Sequence, residues 1–215
     1  MSYICVAGMV GAGKSSLTSL LSKHYESEAF YESVDDNPIL PLFYTASEEE
    51  IQNNRYPFLL QLHFLNTRFQ AIKQAQNDCL NIMDRSIKED KLFALINYEL
   101  GRISELELNL YNSLFDNINE EVEEPHTVIY LRGSFNEIMR RIKMRGREYE
   151  LDSELVAYYK KIWTRYDEWV IENFKKSNIV IIDIDKFDFV NNEEHKTFIL
   201  NKIDETIKNR RKVGI

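Results

Sequence analysis

The sequence predicts an α/β fold in which five parallel strands form one sheet with helices on both faces. Three observations predict it. Short apolar runs, most of them rich in β-branched or aromatic residues, recur at 3–7, 29–34, 79–83, 127–131 and 179–184. Longer stretches separate them, several with helical periodicity. The runs are nearly continuous in apolar character, as expected of strands buried on both faces. At 215 residues, 44% of them hydrophobic, the chain suits a single domain spanning 1–215. No repeat, low-complexity segment or Pro/Gly/Ser-rich linker divides it.

Taken in order, the run 3–7 leads into a glycine-rich turn and a helix that begins near Lys14. The run 29–34 carries Phe30-Tyr31-Glu32-Ser33 at its end. A helix follows in which Phe58, Leu62, Leu65, Phe69 and Ile72 recur at alternating steps of four and three. The run 79–83 ends at Asp84-Arg85-Ser86. On the next helix Leu106, Leu110, Leu114 and Ile118 recur at steps of four, a stripe that suits either core or a face between two copies of the chain. The run 127–131 ends near Arg132, and the helix after it reaches a basic run of Arg140, Arg141, Lys143, Arg145 and Arg147. After 179–184 comes a last helical stretch with Phe198, Ile199, Ile203 and Ile207 on one side. The 12 Tyr and 12 Phe fall mostly on helical stretches and suit helix packing, with a few available to line a pocket for a flat ring.

Charge excludes one class of partner. With 27 Lys and Arg against 35 Asp and Glu the net charge is −8, ill suited to gripping a polyphosphate backbone, so no nucleic acid partner is expected. Cys5 and Cys79 are too few for a disulfide framework and lie in apolar runs, which suits a reducing, cytoplasmic setting. No stretch approaches the ~20 apolar residues of a membrane span, and no signal segment precedes the first run. A soluble intracellular protein is the expectation.

The chain has 7 glycines, three of them between positions 8 and 13. Gly8-Met9-Val10-Gly11-Ala12-Gly13-Lys14-Ser15 matches the phosphate-loop pattern of Gly, four residues, then Gly-Lys-Ser/Thr. The glycines let the backbone curl so that successive N–H groups point inward, and the following helix adds the positive end of its dipole. Lys14 would reach the β- and γ-phosphates, and the Ser15 hydroxyl would take a position on Mg²⁺. The donor segment is therefore residues 8–15 extended to Ser16, and ATP with Mg²⁺ is the expected nucleotide. Asn201-Lys202-Ile203-Asp204 matches the box by which GTPases read guanine, but it falls in a stretch of helical spacing, and no Asp-x-x-Gly occurs in the chain. A coincidental tetrapeptide on a solvated helix is the better reading.

Ligands of a parallel α/β sheet sit at the carboxyl ends of its strands. Glu32, at the end of the second strand, suits a general base that takes a proton from an acceptor hydroxyl. Asp84 suits a Mg²⁺ partner, directly or through a bridging group, which makes Ser15, Glu32 and Asp84 the candidate metal residues. Arg85 could brace both the base and the transferring phosphoryl group. The basic run, with Arg141 and Arg145 four apart on one helix face, reads as a lid, about 140–152, that closes on ATP.

Together these residues resemble the deoxynucleoside kinases of the deoxycytidine/deoxyguanosine/deoxyadenosine kinase group, and look most like its bacterial deoxyadenosine/deoxyguanosine branch. The similarity covers almost the whole chain. It is carried by the loop 8–16, Tyr31-Glu32-Ser33-Val34 with Asn37-Pro38, Phe43-Tyr44, Phe58-Leu59-Leu60-Gln61 with Arg68, Asp84-Arg85-Ser86 followed by Asp90, and the segment 141–150. The resemblance implies a phosphate-loop kinase fold with a helical lid, ATP-dependent phosphorylation of a deoxynucleoside 5′-hydroxyl, and a homodimer formed through helices. It implies that Glu32 is the general base, that Gln61 pairs with the base edge, and that Arg68 and Asp90 complete that recognition. It assigns Tyr44 and Glu150 to the 3′-hydroxyl, Arg85 to the neighbourhood of the base, and Arg141, Arg145 and Arg147 to the lid. Deoxyadenosine is the first expectation, followed by deoxyguanosine or deoxycytidine.

The residues support part of this on their own. Gln61 and Arg68 are seven apart and share a helix face, and an amide offers both donor and acceptor to a heterocycle edge. Three positions depart from the family pattern: Asp84 where relatives often carry Glu, Ser33 where many have Pro, and Ala94 where many place a ring. Two alternatives stand beside this reading. A nucleoside monophosphate kinase of thymidylate-kinase type would need cations for an acceptor phosphate, and a regulatory nucleotide-binding module would need no positioned base.

Overall fold

In a computed structural model of the chain, which describes residues 2–34, 36–147, 150 and 155–213, the apolar runs form one five-stranded sheet. The strands are β1 (Ile4–Gly8), β2 (Ala29–Phe30), β3 (Ile82–Asp84), β4 (Thr127–Arg132) and β5 (Asn178–Asp183), in the spatial order β2-β3-β1-β4-β5. Every pairing is parallel. Central β1 is buried along its whole length, the environment that a run of Ile, Cys, Val and Ala requires. The chain leaves β1 to one side for β2 and β3 and crosses to the other for β4 and β5, so the crevice for a ligand opens at the carboxyl end of β1. The register sets Val6 opposite Asp84 and Phe30 opposite Met83. Gly8, Glu32 and Asp84 therefore emerge at one edge of the sheet.

The helices are α1 (Lys14–Tyr25), α2 (Leu40–Thr45), α3 (Glu48–Asn54), α4 (Tyr56–Ala75), α5 (Ile87–Glu99), α6 (Glu105–Glu120), α7 (Phe135–Arg145), α8 (Leu155–Asn173) and α9 (Glu193–Val213). Their starts are written locally. Ser47 with Glu50, Ser86 with Glu89 and Ser104 with Glu107 each form a capping box, so two otherwise orphaned N–H groups are satisfied reciprocally. Pro57 sits in the first turn of α4, where its missing N–H costs nothing. Helix α7 stops at Gly146, whose left-handed φ of 71° closes the C-terminus.

Two expectations are corrected, and one left open is decided. The second strand is two residues long, not six, because Val34 N–H turns back to the Glu32 carbonyl at 2.9 Å and Glu32 leaves the sheet toward two arginines. The third strand starts at Ile82 rather than 79, since the Asp78 carboxylate accepts from Leu80 N–H at 2.9 Å and folds that segment into a turn. The leucine stripe of α6 does not face the core: Leu106 is 79% and Leu110 58% exposed, and the helix buries Tyr111 and Phe115 instead. As the spacing indicated, Asn201 to Asp204 lies within α9; Ile203 is buried, and Asp204 accepts from the Tyr25 hydroxyl at 2.7 Å. The segment is a helix face, not a base-reading loop.

Candidate active site

Backbone geometry builds the phosphate loop first. It starts at the end of β1, and Gly13 in the left-handed region (φ 97°) delivers the chain into α1. Gly11 has φ 79°, and a Cβ there would lie 2.7 Å from Ile142 Cγ1 of α7, so the loop and the lid helix approach too closely for any side chain. Lys14 Nζ donates to the Met9 carbonyl at 3.1 Å, folded back across the loop. Burial and the nearby Arg85 lower the Lys14 pKa to about 8, against the pull of Asp84, Glu32 and Glu89.

Ser15 Oγ donates to Asp84 Oδ2 at 2.6 Å. The other oxygen, Asp84 Oδ1, is buried without a hydrogen-bond partner among the described residues. A hydroxyl and an orphaned carboxylate oxygen form a hard oxygen pair that would suit Mg²⁺. The described residues contain no group of three or more His, Cys, Asp or Glu side chains that could hold a metal ion.

The acceptor side shares a cavity of about 340 Å³ with the loop. Glu32, Gln61, Asp90 and Arg85 line it, as do Tyr44 and Glu150, with Phe43, Phe64, Phe93 and Tyr158 supplying apolar wall. Arg68, from α4, is 4% exposed and fully engaged. It grips Asp90 bidentately at 2.7 and 3.1 Å, donates to the Asp84 carbonyl at 3.0 Å, and reaches Glu32 Oε1 at 2.9 Å. Arg85 Nε lies 3.1 Å from the same oxygen. Burial would raise the Glu32 pKa, but Arg85, Arg68 and Lys14 outweigh it and hold the carboxyl at about 2. Burial pushes Asp90 up to about 6 against the pull of Arg68. Gln61 is 3% exposed on α4, and its amide makes no hydrogen bond with another described residue, which leaves both its donor and acceptor for a ligand.

Tyr44 and Glu150 meet through Tyr159, which hydrogen-bonds the Tyr44 hydroxyl and donates to the Glu150 carbonyl at 3.4 Å. The expected lid divides. Arg145 and Arg147 line the acceptor cavity and pair with the Glu150 carboxylate. Arg141, one turn earlier, turns the other way: it donates to the Ala12 carbonyl at 3.3 Å and the Ile184 carbonyl at 3.1 Å. It borders a second cavity of about 420 Å³ between α7 and the segment after β5, with Phe187 and His195 on its far side. Of the lid span 140–152, residues 148, 149, 151 and 152 lie outside the described residues.

Sequence reasoning missed two groups. Glu89 is fully buried and accepts from Gly8 N–H and Arg85, and Tyr166 of α8 donates to the Gly8 carbonyl at 2.9 Å. The Ser86-x-x-Glu89 capping pattern could have flagged the first; the second had no local signal.

A family model described as deoxynucleoside kinase matches residues 4–208. Among curated proteins the chain is 41% identical to a deoxyguanosine kinase of Lactobacillus acidophilus, covering 97% of this chain and 92% of that one. It is 38% identical to a deoxyadenosine kinase of the same organism, over 95% and 96% of the two chains. The solved structure of deoxyadenosine kinase from M. mycoides with bound dATP superposes with a TM-score of 0.77 at 29% identity, covering 94% of this chain and 99% of that one.

Proposed function

The chain belongs to the deoxynucleoside kinase family, enzymes that phosphorylate deoxynucleosides, and from that premise we propose that it transfers the γ-phosphoryl group of ATP to the 5′-hydroxyl of a purine deoxynucleoside. One observation carries the reading: Glu32, with Oε1 held by two arginines, stands on the wall of a cavity that also contains Lys14 of the phosphate loop. The loop amides and Lys14 hold the donor phosphates. Bound at Ser15 and Asp84, Mg²⁺ would neutralise charge on the β- and γ-phosphates. Glu32 Oε2 faces the 5′-hydroxyl and accepts its proton as the new bond to phosphorus forms. Arg85 steadies Glu32 and faces the charge that develops on the transferring group.

Purine specificity is supported by the apolar aromatic wall and by Gln61. By rotating its amide, Gln61 can pair with N1 and N6 of adenine or with O6 and N1 of guanine. Relatives named for either purine share about two-fifths of the sequence. Tyr44 and Glu150 would hold the 3′-hydroxyl, and the second cavity, beside the Arg141 guanidinium, would take the donor base. A phosphorylated acceptor is disfavoured, since Arg68 and Arg85 are consumed by Asp90, Glu89 and Glu32, and Arg145 and Arg147 pair with Glu150. The exposed leucines of α6 are the proposed face of a homodimer, and the reducing cytoplasm the proposed setting.

The test is phosphoryl transfer from labelled ATP with Mg²⁺ to deoxyadenosine, deoxyguanosine, deoxycytidine, thymidine and the purine monophosphates. The two purine deoxynucleosides should be phosphorylated most efficiently. Transfer to monophosphates alone, or a pyrimidine preference, refutes the proposal.

A further inference from the structure

Arg85 is held in an unusual way. Its backbone is left-handed (φ 76°), a conformation costly for a residue with a Cβ and sustained only where surrounding contacts over-determine it. Its N–H continues the sheet to the Val6 carbonyl at 3.0 Å, and its guanidinium packs over the Phe93 ring at 5.0 Å. Besides Glu32, the guanidinium is held by Tyr166 and by Glu89, four residues on in the first turn of α5.

Glu89 exceeds its role as a cap. The cap uses Oε2, which accepts from Ser86 N–H at 2.9 Å. Oε1 gathers three further donors from three parts of the fold: Gly8 N–H of the phosphate loop at 3.2 Å, Arg85 Nη1 at 3.2 Å, and the Tyr166 hydroxyl of α8. Tyr166 in turn accepts from Arg85 Nη1 at 2.8 Å, and its proton is shared between Glu89 and the Gly8 carbonyl. Its ring is fixed by stacking on Tyr130, at 5.9 Å and 10° between planes. A buried carboxylate beside a polyphosphate site opposes ligand charge, so a helix cap alone does not account for its position.

We propose that Glu89 is a positioning residue for phosphoryl transfer, acting through Arg85: with Tyr166 it ties the guanidinium to the first residue of the phosphate loop and so holds it beside Glu32, with Nε 3.1 Å from Oε1. The proposal rests on the reading of Glu32 and Arg85 given above. Base, brace and donor loop are then registered by one carboxylate, so a small shift of Arg85 relative to the loop lowers the rate without removing any substrate contact. Glu89→Gln keeps volume and cap but sets an N–H₂ donor against other donors. Tyr166→Phe keeps every charge and removes the bridge.

The experiment is steady-state kinetics of Glu89→Gln and Tyr166→Phe, each alone and combined with Arg85→Lys, with folding checked by circular dichroism. The expected result is a kcat lowered about 10- to 100-fold by Glu89→Gln and several-fold by Tyr166→Phe, with both KM values within about threefold. In the Arg85→Lys background either change should alter kcat by less than about threefold, because its effect runs through Arg85. Full multiplication of the losses, a rise in KM alone, or an unchanged kcat overturns the proposal. Should Glu89→Gln fail to fold, Tyr166→Phe with Arg85→Lys completes the same cycle. Glu32→Gln, measured in parallel, separates the premises: normal turnover there removes the base, while coupling between Glu89 and Arg85 is read independently.

Discussion

Replacing Glu32 by Gln removes one proton acceptor and one charge while keeping shape. With its pKa held at about 2 by two arginines and Lys14, Glu32 is ionised at pH 7 in all but about one molecule in 10⁵. It is also a weak base. An alkyl hydroxyl resembles water, with a pKa of about 15.7, so the proton moves only as the bond to phosphorus forms, as a loose transition state allows. General-base catalysis contributes about 10²–10⁴, and low basicity places Glu32 at the lower end. We expect kcat to fall about 10²-fold, equivalent to about 2.7 kcal/mol. ATP affinity should be nearly unchanged. Arg68 keeps Asp90 and Arg85 keeps Glu89, so one charge-assisted hydrogen bond is lost from a side chain that is 20% exposed. At about 1.5 kcal/mol that lowers Tm by about 3–6 °C. The assay is coupled detection of ADP at saturating substrates from pH 5 to 9, with ATP binding by calorimetry. Because the folded pKa is depressed, the ionised base persists until pH falls through about 2, so Glu32 contributes no acid limb above pH 5, and any limb near pH 6 belongs to Asp90. A variant kcat within threefold of wild type would falsify the role of Glu32.

Lys14, lowered to about 8, loses its proton in the free enzyme above that pH, and phosphates draw it back. ATP affinity should weaken about tenfold per pH unit above about 8, with uptake of up to one proton; a flat Kd from pH 7 to 9.5 refutes this. Gln61→Ala should raise the deoxynucleoside KM about tenfold or more, as expected for a base edge left unpaired in a buried site, with a smaller effect on kcat; an unchanged KM for both purines removes Gln61 from base recognition. Leu110→Lys, on the exposed stripe of α6, should convert a dimer to a monomer by light scattering, and an unaltered dimer mass excludes that face.

Features carried by neighbouring residues were legible before any coordinates. The curl of residues 8–15 follows from glycine spacing. The shared face of Gln61 and Arg68 follows from helical period. The sheet class followed from the continuity of its apolar runs. Strand lengths did not, because β2 ends where Glu32 is drawn to arginines of α4 and the β3–α5 turn, residues 36 and 53 positions away. The α6 leucines could not be assigned to core or surface, since a helix with apolar residues on both sides has no unique orientation until its neighbours exist.

The sequence by itself determined the phosphate loop, the parallel sheet and the set of acidic, basic and amide groups at its edge, because these depend on backbone conformation and spacing within one element. Only the tertiary structure decided how those groups are joined. Arg141 and Arg145 share a helix yet serve different cavities, and Glu89 meets Gly8 and Tyr166 across 81 and 77 positions of chain. Such junctions are set by crossover connections and by the requirement that each buried charge find partners, which no local pattern records.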